Sequence, residues 1–413
     1  MLSVDEALEI VLNRVRPAAP RAVPLAEALG CVLAEVVTSD VDSPPHDKSI
    51  VDGFAVRSDD LAAGRRELRV IEEVTAGRVP QRFVTSGTAT RIMTGAPLPD
   101  GADAVVMVEQ TQAPSPSNVV IEQPNVRVGQ NIVRRAVSMR QGEQVLAPAD
   151  RLLTSADIGL LAEVGRGAVQ VVPRPHVAIL ATGDELVPAV ETPGPGQIRN
   201  SNGPMLSAMV TRGGGFAHDL GIARDDRDEL RRKISDGLTF DMLILSGGVS
   251  AGVLDLVPAA LAELGVVEVF HKVSVKPGKP IWFGIYTGGD GVTRPVFGLP
   301  GNPVSSLVCF ELFVQPAIFH LRGMPWYTRP RRWGGYLTQA FTHRGERPTY
   351  WPGRRGPYEK PGLEPVTPCT WHGSGDLRAI AASDCFICFP PGDKQYEAGD
   401  AVEVVVHSTD FTY

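Results

Sequence analysis

Three short segments between Met242 and Val308 combine glycines, lysines and strand ends in a way that suits anion binding. They are SGGVS from Ser246, KVSVKPGKP from Lys272 and GLPGNPV from Gly298. The glycines let a ligand approach the main chain, and the lysines supply compact positive charge. The sequence therefore predicts a binding site for a phosphate or for an oxyanion of similar shape.

The elements around these segments favour a parallel sheet. The run Met242–Ser246 is apolar and bounded by glycines, which is typical of a buried parallel strand. Asn302 and Pro303 suit the start of a helix, whose free N–H groups and dipole attract anions. Lys272 and Lys276 would share one face of a strand. Ligands of such sheets bind beyond the carboxyl ends of the strands, so the segments predict a single site.

Four carboxylates accompany these segments: Glu185, Asp225 and Asp255 after predicted strands, and Asp52 nearer the N-terminus. Taken alone, each acid better suits a helix cap or the surface. Beside the lysines they suit a phosphate that carries a divalent cation, because the acids bind the metal and the ammonium groups bind the phosphate.

Composition excludes several classes of protein. The net charge of −7 offers no basic field for nucleic acid, and no apolar run approaches the length of a membrane span. The N-terminus lacks the features of a signal peptide, and the five cysteines are scattered. Cys385 and Cys388 lie three apart in a strand-like run and so face opposite sides, which disfavours a metal pair. We expect a cytoplasmic protein that binds neither nucleic acid nor membrane.

The pattern of the chain predicts a multidomain α+β fold. Capping boxes at Ser3 and Thr154 begin two helices, and a further helix is expected from Leu25 to Val36. The expected domains are a discontinuous helical N-terminal domain (1–45 and 131–172), a mostly β inserted domain (46–130), a doubly wound α/β domain (173–324) and a C-terminal all-β domain (325–413).

The order of the motifs resembles that of a known family. IVDGFAV, RIMTGAPLPDGADAVVMVE, TGDEL, SGGVS followed by Asp255, VKPGKP and GLPGNPVS occur in sequence. This set is similar to the molybdopterin molybdenumtransferases, which include MoeA and the E domain of gephyrin, over essentially the whole chain. TGDEL, SGGVS and GLPGNP also suit the related molybdopterin adenylyltransferases, but the β insertion and the C-terminal β domain separate the two families.

The resemblance implies an activity and an assembly. The activity is Mg²⁺-assisted insertion of molybdate into adenylylated molybdopterin with release of AMP, the final step of molybdenum cofactor biosynthesis. The assembly is a homodimer whose active sites combine the α/β domain of one chain with the β domain of the other. A molybdopterin adenylyltransferase and apo-molybdoenzymes are the implied partners.

The resemblance also assigns residues. Catalytic roles fall to Asp52, Glu185, Asp225, Asp255, Lys272, Lys276 and Lys279, with Glu185 and Asp255 holding the metal. Substrate contacts fall to Thr94, Gly95, Thr182, Asn202, Ser246, Gly247, Gly248, Ser250, Pro300, Gly301, Asn302, Pro303, Arg347 and Ser374.

One departure from the family bears on turnover. Where members commonly carry an aspartate after the inserted domain, this chain has Ser138. Two alternatives to the leading prediction therefore stay open. One is a paralogue that uses tungstate or turns over with altered efficiency, and the other is a carrier or scaffold that binds the cofactor without making it.

Overall fold

The apolar run Met242–Ser246 is a central, fully buried strand of a six-stranded sheet. The strand order is Phe216–Ala223, His176–Thr182, Met242–Ser246, Thr293–Leu299, Trp282–Thr287 and Val267–His271. The first four strands are parallel, and the last two pair antiparallel. The parallel strands therefore end at one common edge of the sheet, where a ligand site is expected. The computed structural model describes residues 1–123, 125–249, 256–330, 332–357 and 363–407.

Helices Asn202–Arg212, Arg227–Gly237, Leu256–Glu263 and Pro303–Leu321 accompany this sheet. The last helix is interrupted by a π-helical turn, Phe310–Val314. Its length and composition would allow it to cross a membrane, so the expectation that no apolar run approaches that length was wrong. Within the protein, however, 94% of its most apolar window is buried. That burial is characteristic of a core helix.

The N-terminal helix Val4–Arg14 begins at the predicted capping box, in which Ser3 Oγ accepts from the Glu6 N–H. Its buried residues pack in the same core as the six-stranded sheet. The helix expected from Leu25 to Val36 is wrong, because only Leu25–Ala28 is helical. Gly30 then turns the chain at φ +71°, and the strands Val32–Leu33 and Val37–Thr38 follow.

The second predicted capping box, at Thr154, begins helix Ser155–Glu163 and is also confirmed. Around it lie a three-stranded sheet of Arg21–Pro24, Ala168–Val172 and Val32–Leu33, and the pair Val37–Thr38 with Gln144–Leu146. This part of the chain is therefore mixed rather than purely helical.

The inserted segment forms a second six-stranded sheet. Its order is Ala104–Met107, Gly53–Val56, Thr88–Ile92, Glu67–Val74, Asn118–Ile121 and Thr111–Ser115, with the short helix Ser58–Ala62 beside it. A two-stranded ladder of Lys48–Ser49 and Ile132–Val133 joins the entering and leaving chain. The mostly β character predicted for this segment follows from its short, turn-separated strands.

The C-terminal segment closes into a barrel of Arg332–Leu337, Glu364–Pro368, Thr349–Arg355, Cys385–Phe389 and Ala401–Val406. Strands Phe341–His343 and Lys394–Tyr396 pair beside it, and Leu377–Ala381 is helical. Cys385 packs inside the barrel, whereas Cys388 contacts the core of the six-stranded α/β sheet, so the two thiols face opposite sides as predicted. The multidomain α+β prediction is confirmed.

Candidate functional site

A pocket of about 280 Å³ lies at the carboxyl edge of the parallel strands. Seven of its lining residues were predicted from the sequence: Thr182, Glu185, Asn202, Ser246, Gly301, Asn302 and Pro303. Sequence reasoning did not assign Ala181, Leu186, Ile198, Arg199, Asn200 and Ser201, which complete the wall. The polar run directly before helix Asn202–Arg212 could have indicated Asn200 and Ser201.

Asn202 joins the two sides of this pocket. Its Nδ2 donates to Ser246 Oγ at 2.7 Å and to the Gly301 carbonyl at 2.8 Å. Because a carbonyl can only accept, the second contact fixes which way the amide faces. The Asn202 Oδ1 is then buried with no hydrogen-bond partner in the described part of the chain. A ligand or an ordered water usually satisfies such an atom.

Two glycines follow Ser246, a lining residue of the pocket, and pack closely against neighbouring elements. Gly247 has φ +97°, and its N–H donates to the Leu299 carbonyl. A Cβ at Gly247 would lie 2.5 Å from the Thr182 carbonyl oxygen, and one at Gly248 would lie 2.6 Å from Val257 Cγ2. A side chain at Gly247 would displace the end of strand His176–Thr182, and one at Gly248 would displace helix Leu256–Glu263.

The start of helix Pro303–Leu321 forms one wall. Asn302 occupies the N-cap without a side-chain cap bond, and Pro303 is the first helical residue, as predicted. The Val304 N–H donates to the Ser374 carbonyl at 3.0 Å. Pro300, which was also predicted, precedes the helix start without lining the pocket, and its carbonyl accepts from Ser306 Oγ. The C-terminal domain thus contributes Ser374 at the helix start, next to the pocket.

The lysines lie on a loop rather than on a strand. The strand ends at His271, and Lys272 follows at φ +73°, so the prediction that Lys272 and Lys276 share a strand face was wrong. The Lys276 main chain bonds to Pro348 and Tyr350 of the C-terminal domain. The side chain of Lys279 is exposed.

Arg347 fastens the C-terminal domain to this lysine loop. Its guanidinium donates to the Val275 carbonyl at 2.7 Å. A Cβ at Gly345 would lie 3.8 Å from Lys276 Nζ, which places that ammonium group beside the same domain. Arg347 and Ser374 were transferred from the family resemblance, and each contacts a segment of the predicted anion site.

Two acidic loops meet at the mouth of the pocket. Glu185 is exposed, and its carbonyl accepts from the Ile198 N–H. The Arg224 guanidinium donates to the carbonyls on either side of Glu185, those of Asp184 and Leu186. The Asp225 N–H donates to Asp184 Oδ1 at 3.1 Å. Asp225 therefore lies on the loop that braces Glu185.

Asp52, Thr94 and Gly95 form a separate group in the inserted sheet. Asp52 Oδ1 accepts from the Thr94 N–H at 2.7 Å and from Thr94 Oγ1 at 2.8 Å. These bonds, the main-chain bond first, lower the pKa of Asp52. The Gly95 N–H donates to the Ser49 carbonyl. None of the three lines the pocket of the same chain, as far as the described residues show.

Of the two predicted metal ligands, only Glu185 lies among the residues that the structure describes. The described ranges contain no group of three His, Cys, Asp or Glu side chains that could hold an ion. Glu185 offers one exposed carboxylate at the pocket. The second predicted ligand, Asp255, and the predicted contact Ser250 lie outside the described residues. A hard cation such as Mg²⁺ often uses one or two carboxylates together with substrate phosphates, which Glu185 fits.

Comparison with protein families supports one assignment along the chain. Residues 2–165 match the MoeA N-terminal region (domain I and II), residues 178–320 a probable molybdopterin binding domain, and residues 335–407 the MoeA C-terminal region (domain IV).

Individual relatives cover nearly the whole chain. Molybdopterin molybdenumtransferase from Staphylococcus aureus (strain COL) is 33% identical, with 99% of this chain and 96% of the relative covered. The enzyme of the same name from Bacillus subtilis (strain 168) is 33% identical, with coverages of 98% and 94%.

A solved structure agrees with these relatives. The molybdopterin biosynthesis MoeA protein from Pyrococcus horikosii superposes with a TM-score of 0.78 at 30% identity, covering 99% of this chain and all of the other. The family indicated by the motifs is thereby confirmed. The chain belongs to the molybdopterin molybdenumtransferase family, and it is a transferase of molybdenum cofactor biosynthesis.

Proposed function

We propose that this chain inserts molybdenum from molybdate into adenylylated molybdopterin and releases AMP. Two Mo–S bonds form to the dithiolene sulfurs, and one molybdate oxygen leaves as water with the two thiol protons. The phosphoanhydride bond to AMP is cleaved by water. The observation that carries this proposal is the meeting of the pocket, the lysine loop and the C-terminal residues Arg347 and Ser374 in one region.

We propose that different residues bind different parts of the substrates. Lys272, Lys276 and Lys279 lie on the loop next to the C-terminal domain, where ammonium groups hold phosphate and molybdate oxygens. Asn202, Ser246 and Gly301 line the pocket that holds the remainder of the substrate. Preorganised donors of this kind are most effective when charge develops on the substrate oxygens.

Mg²⁺ belongs to the same proposal. Glu185 and the predicted ligand Asp255 would hold it together with substrate phosphate. When bound, the cation neutralises negative charge on the phosphates that separate.

The proposed assembly is a homodimer. Asp52 and Thr94 form an ordered, hydrogen-bonded group outside the pocket of their own chain. On the family resemblance, this group reaches the pocket of the partner chain. We propose that the protein works in the cytoplasm, receives its substrate from a molybdopterin adenylyltransferase and delivers the cofactor to apo-molybdoenzymes.

The carrier alternative is not favoured, since the close relatives are named as transferases. Ser138, which replaces the family aspartate, is exposed, and its N–H donates to the Ser43 carbonyl. We propose that this change is tolerated. We propose that molybdate, rather than tungstate, is the oxyanion used, since the relatives are named molybdenumtransferases.

Complementation tests the function. The gene for this chain should restore molybdoenzyme activity to cells that lack their own molybdenumtransferase, and Glu185→Gln should not. Glu191→Gln is the matched control, because Glu191 is equally exposed nearby but is not among the described lining residues. If the wild-type chain fails to restore activity while it accumulates as folded protein, the proposal is wrong.

A further inference from the structure

A buried ion pair joins the two helices that begin at the pocket. Arg212 ends helix Asn202–Arg212, and its Nη2 lies 2.5 Å from Glu311 Oε1 and 2.9 Å from Gln315 Oε1. The Glu311 side chain is 3% exposed. A buried carboxylate is costly unless it is paired, and replacing one partner alone is strongly destabilising. The reaction proposed above uses neither Arg212 nor Glu311, so the burial of the Glu311 carboxylate has another cause.

The acceptors of Arg212 belong to the irregular part of the long helix. The π-helical turn Phe310–Val314 contains Glu311, and the α-helix resumes at Gln315. Such turns are rare, and they are frequently found at functional sites. Here the turn brings Glu311 and Gln315 to the same guanidinium. The ion pair therefore stabilises this turn in its observed register.

The same two helices also meet at the pocket. Asn202, the first residue of one helix, donates to the Gly301 carbonyl just before the other. Arg212 lies ten residues further on, about 15 Å along the helix axis. At that far end Arg322 also donates to the Gly213 carbonyl at 2.9 Å. The two helices are thus joined at both ends. These contacts prevent one helix from rotating or sliding against the other.

We infer that the Arg212–Glu311 ion pair is a positioning device that sets the register between these helices. It thereby sets the separation of Asn202 from Gly301 and Pro303, which lie on facing sides of the pocket. Arg212 and Glu311 do not touch the ligand, so both are positioning residues. The identity of the ligand rests on the proposed function, whereas the helix register does not.

The test replaces both charges with apolar side chains of similar length, Arg212→Met with Glu311→Met. Such replacements keep packing and often keep stability. We expect a melting temperature near that of the wild type, faster hydrogen exchange of the amides at 304–306, and about tenfold weaker molybdopterin binding. The KM for adenylylated molybdopterin should rise more than kcat falls, because the lysine loop is untouched.

The control is the double change Asp290→Met with Arg294→Met. Its ion pair, 2.6 Å long, lies in a hairpin of the same sheet away from both helices. We expect exchange at 304–306 and molybdopterin binding to be unchanged. A folded Arg212→Met, Glu311→Met protein with wild-type exchange and affinity would overturn the inference.

A second variant covers the case in which that double variant does not fold. Glu311→Gln keeps the shape and one acceptor for Arg212, so we expect smaller shifts in the same direction. Wild-type exchange and affinity in Glu311→Gln would then overturn the inference. Should the wild-type chain bind no molybdopterin, the proposed function fails, and the exchange measurement still decides the helix register.

Discussion

At the level of single residues, the pocket depends on side chains that few other residue types could replace. The Asn202 amide bonds a hydroxyl and a main-chain carbonyl at once, which an aspartate could not do because it lacks N–H donors. Ser374 acts through its main chain, since its carbonyl accepts from the Val304 N–H. The chemistry of the site therefore resides partly in backbone groups whose positions the side chains fix.

Lys279 tests the proposal that molybdate and the pterin are bound by different residues. Its side chain is exposed, so its removal leaves the fold intact. We expect Lys279→Ala to raise the KM for molybdate about tenfold, because one charge-assisted contact to the oxyanion is lost. Molybdopterin binding, measured by titration, should change little.

The control for Lys279→Ala is Lys394→Ala, an exposed lysine beside the C-terminal barrel, which should keep wild-type kinetics. Equal losses of molybdate use and pterin binding in Lys279→Ala would refute the division of roles.

Gly247 tests whether close packing of the main chain next to the pocket is required for binding. Its φ of +97° disfavours any side chain, and an added Cβ would lie 2.5 Å from the Thr182 carbonyl oxygen. We expect Gly247→Ala to cost about 1–2 kcal/mol in the free energy of unfolding from backbone strain alone and to weaken molybdopterin binding. Gly289→Ala, with no atom within 4 Å of the added Cβ, should change neither. Thermal unfolding measures the stability of each variant, and titration measures its affinity for molybdopterin. Equal stability and affinity in Gly247→Ala and Gly289→Ala would contradict the role given to Gly247.

At the scale of elements, helix starts were the most predictable features. The capping boxes at Ser3 and Thr154 are visible in sequence because both partners lie within one turn. The helix expected from Leu25 failed because Gly30 adopts a positive φ and the following valines pair as strands. The turn at Lys272 could not be predicted either. Lys272 adopts φ +73°, and nothing in the preceding strand sequence indicates that a non-glycine residue does so there.

The Thr154 helix start predicts a dependence of stability on pH. Asp157 accepts from the Arg151 guanidinium and from Thr154, and its side chain is 9% exposed. The Arg151 bond is the main cause that holds the pKa of Asp157 far below its usual range, although burial acts in the opposite direction. Because the folded-state pKa is depressed, this stabilisation is complete above about pH 5 and is lost as the pH falls below about 4.

The test is Asp157→Asn. We expect it to lower the free energy of unfolding by about 2 kcal/mol at neutral pH, with a smaller difference from the wild type in strong acid. Denaturant unfolding at several pH values measures this, and Asp150→Asn, at an exposed position nearby, is the control. A difference that does not change with pH would refute the role of the Asp157 charge.

At the scale of the whole molecule, the site draws on parts of the chain that sequence patterns cannot bring together. Glu185 and Asn302 could be placed at one edge because parallel strands end there. The contacts of Arg347 with Val275 and of Ser374 with Val304 join the C-terminal domain to the α/β domain. No local periodicity encodes such a contact, and only the resemblance to a family suggested these two residues.

A homodimer with shared sites predicts complementation between defective chains. Asp52→Asn and Lys276→Ala should each be inactive alone. Mixed in equal amounts and reassociated, they should recover about a quarter of the wild-type activity, since half of the dimers are mixed and each mixed dimer has one intact site. Sedimentation would measure whether the chains form dimers, and no recovery of activity after proven exchange of chains would contradict a site shared between subunits.

Measurement of AMP release is the sharpest test of molybdenum insertion at this pocket. Purified chain is incubated with adenylylated molybdopterin and Mg²⁺, with and without molybdate, and AMP is quantified over time. We expect release that requires both molybdate and Mg²⁺, that falls at least about 100-fold in Glu185→Gln and that persists in Glu191→Gln. Tight binding of adenylylated molybdopterin without molybdate-dependent release would contradict it and would make the chain a carrier.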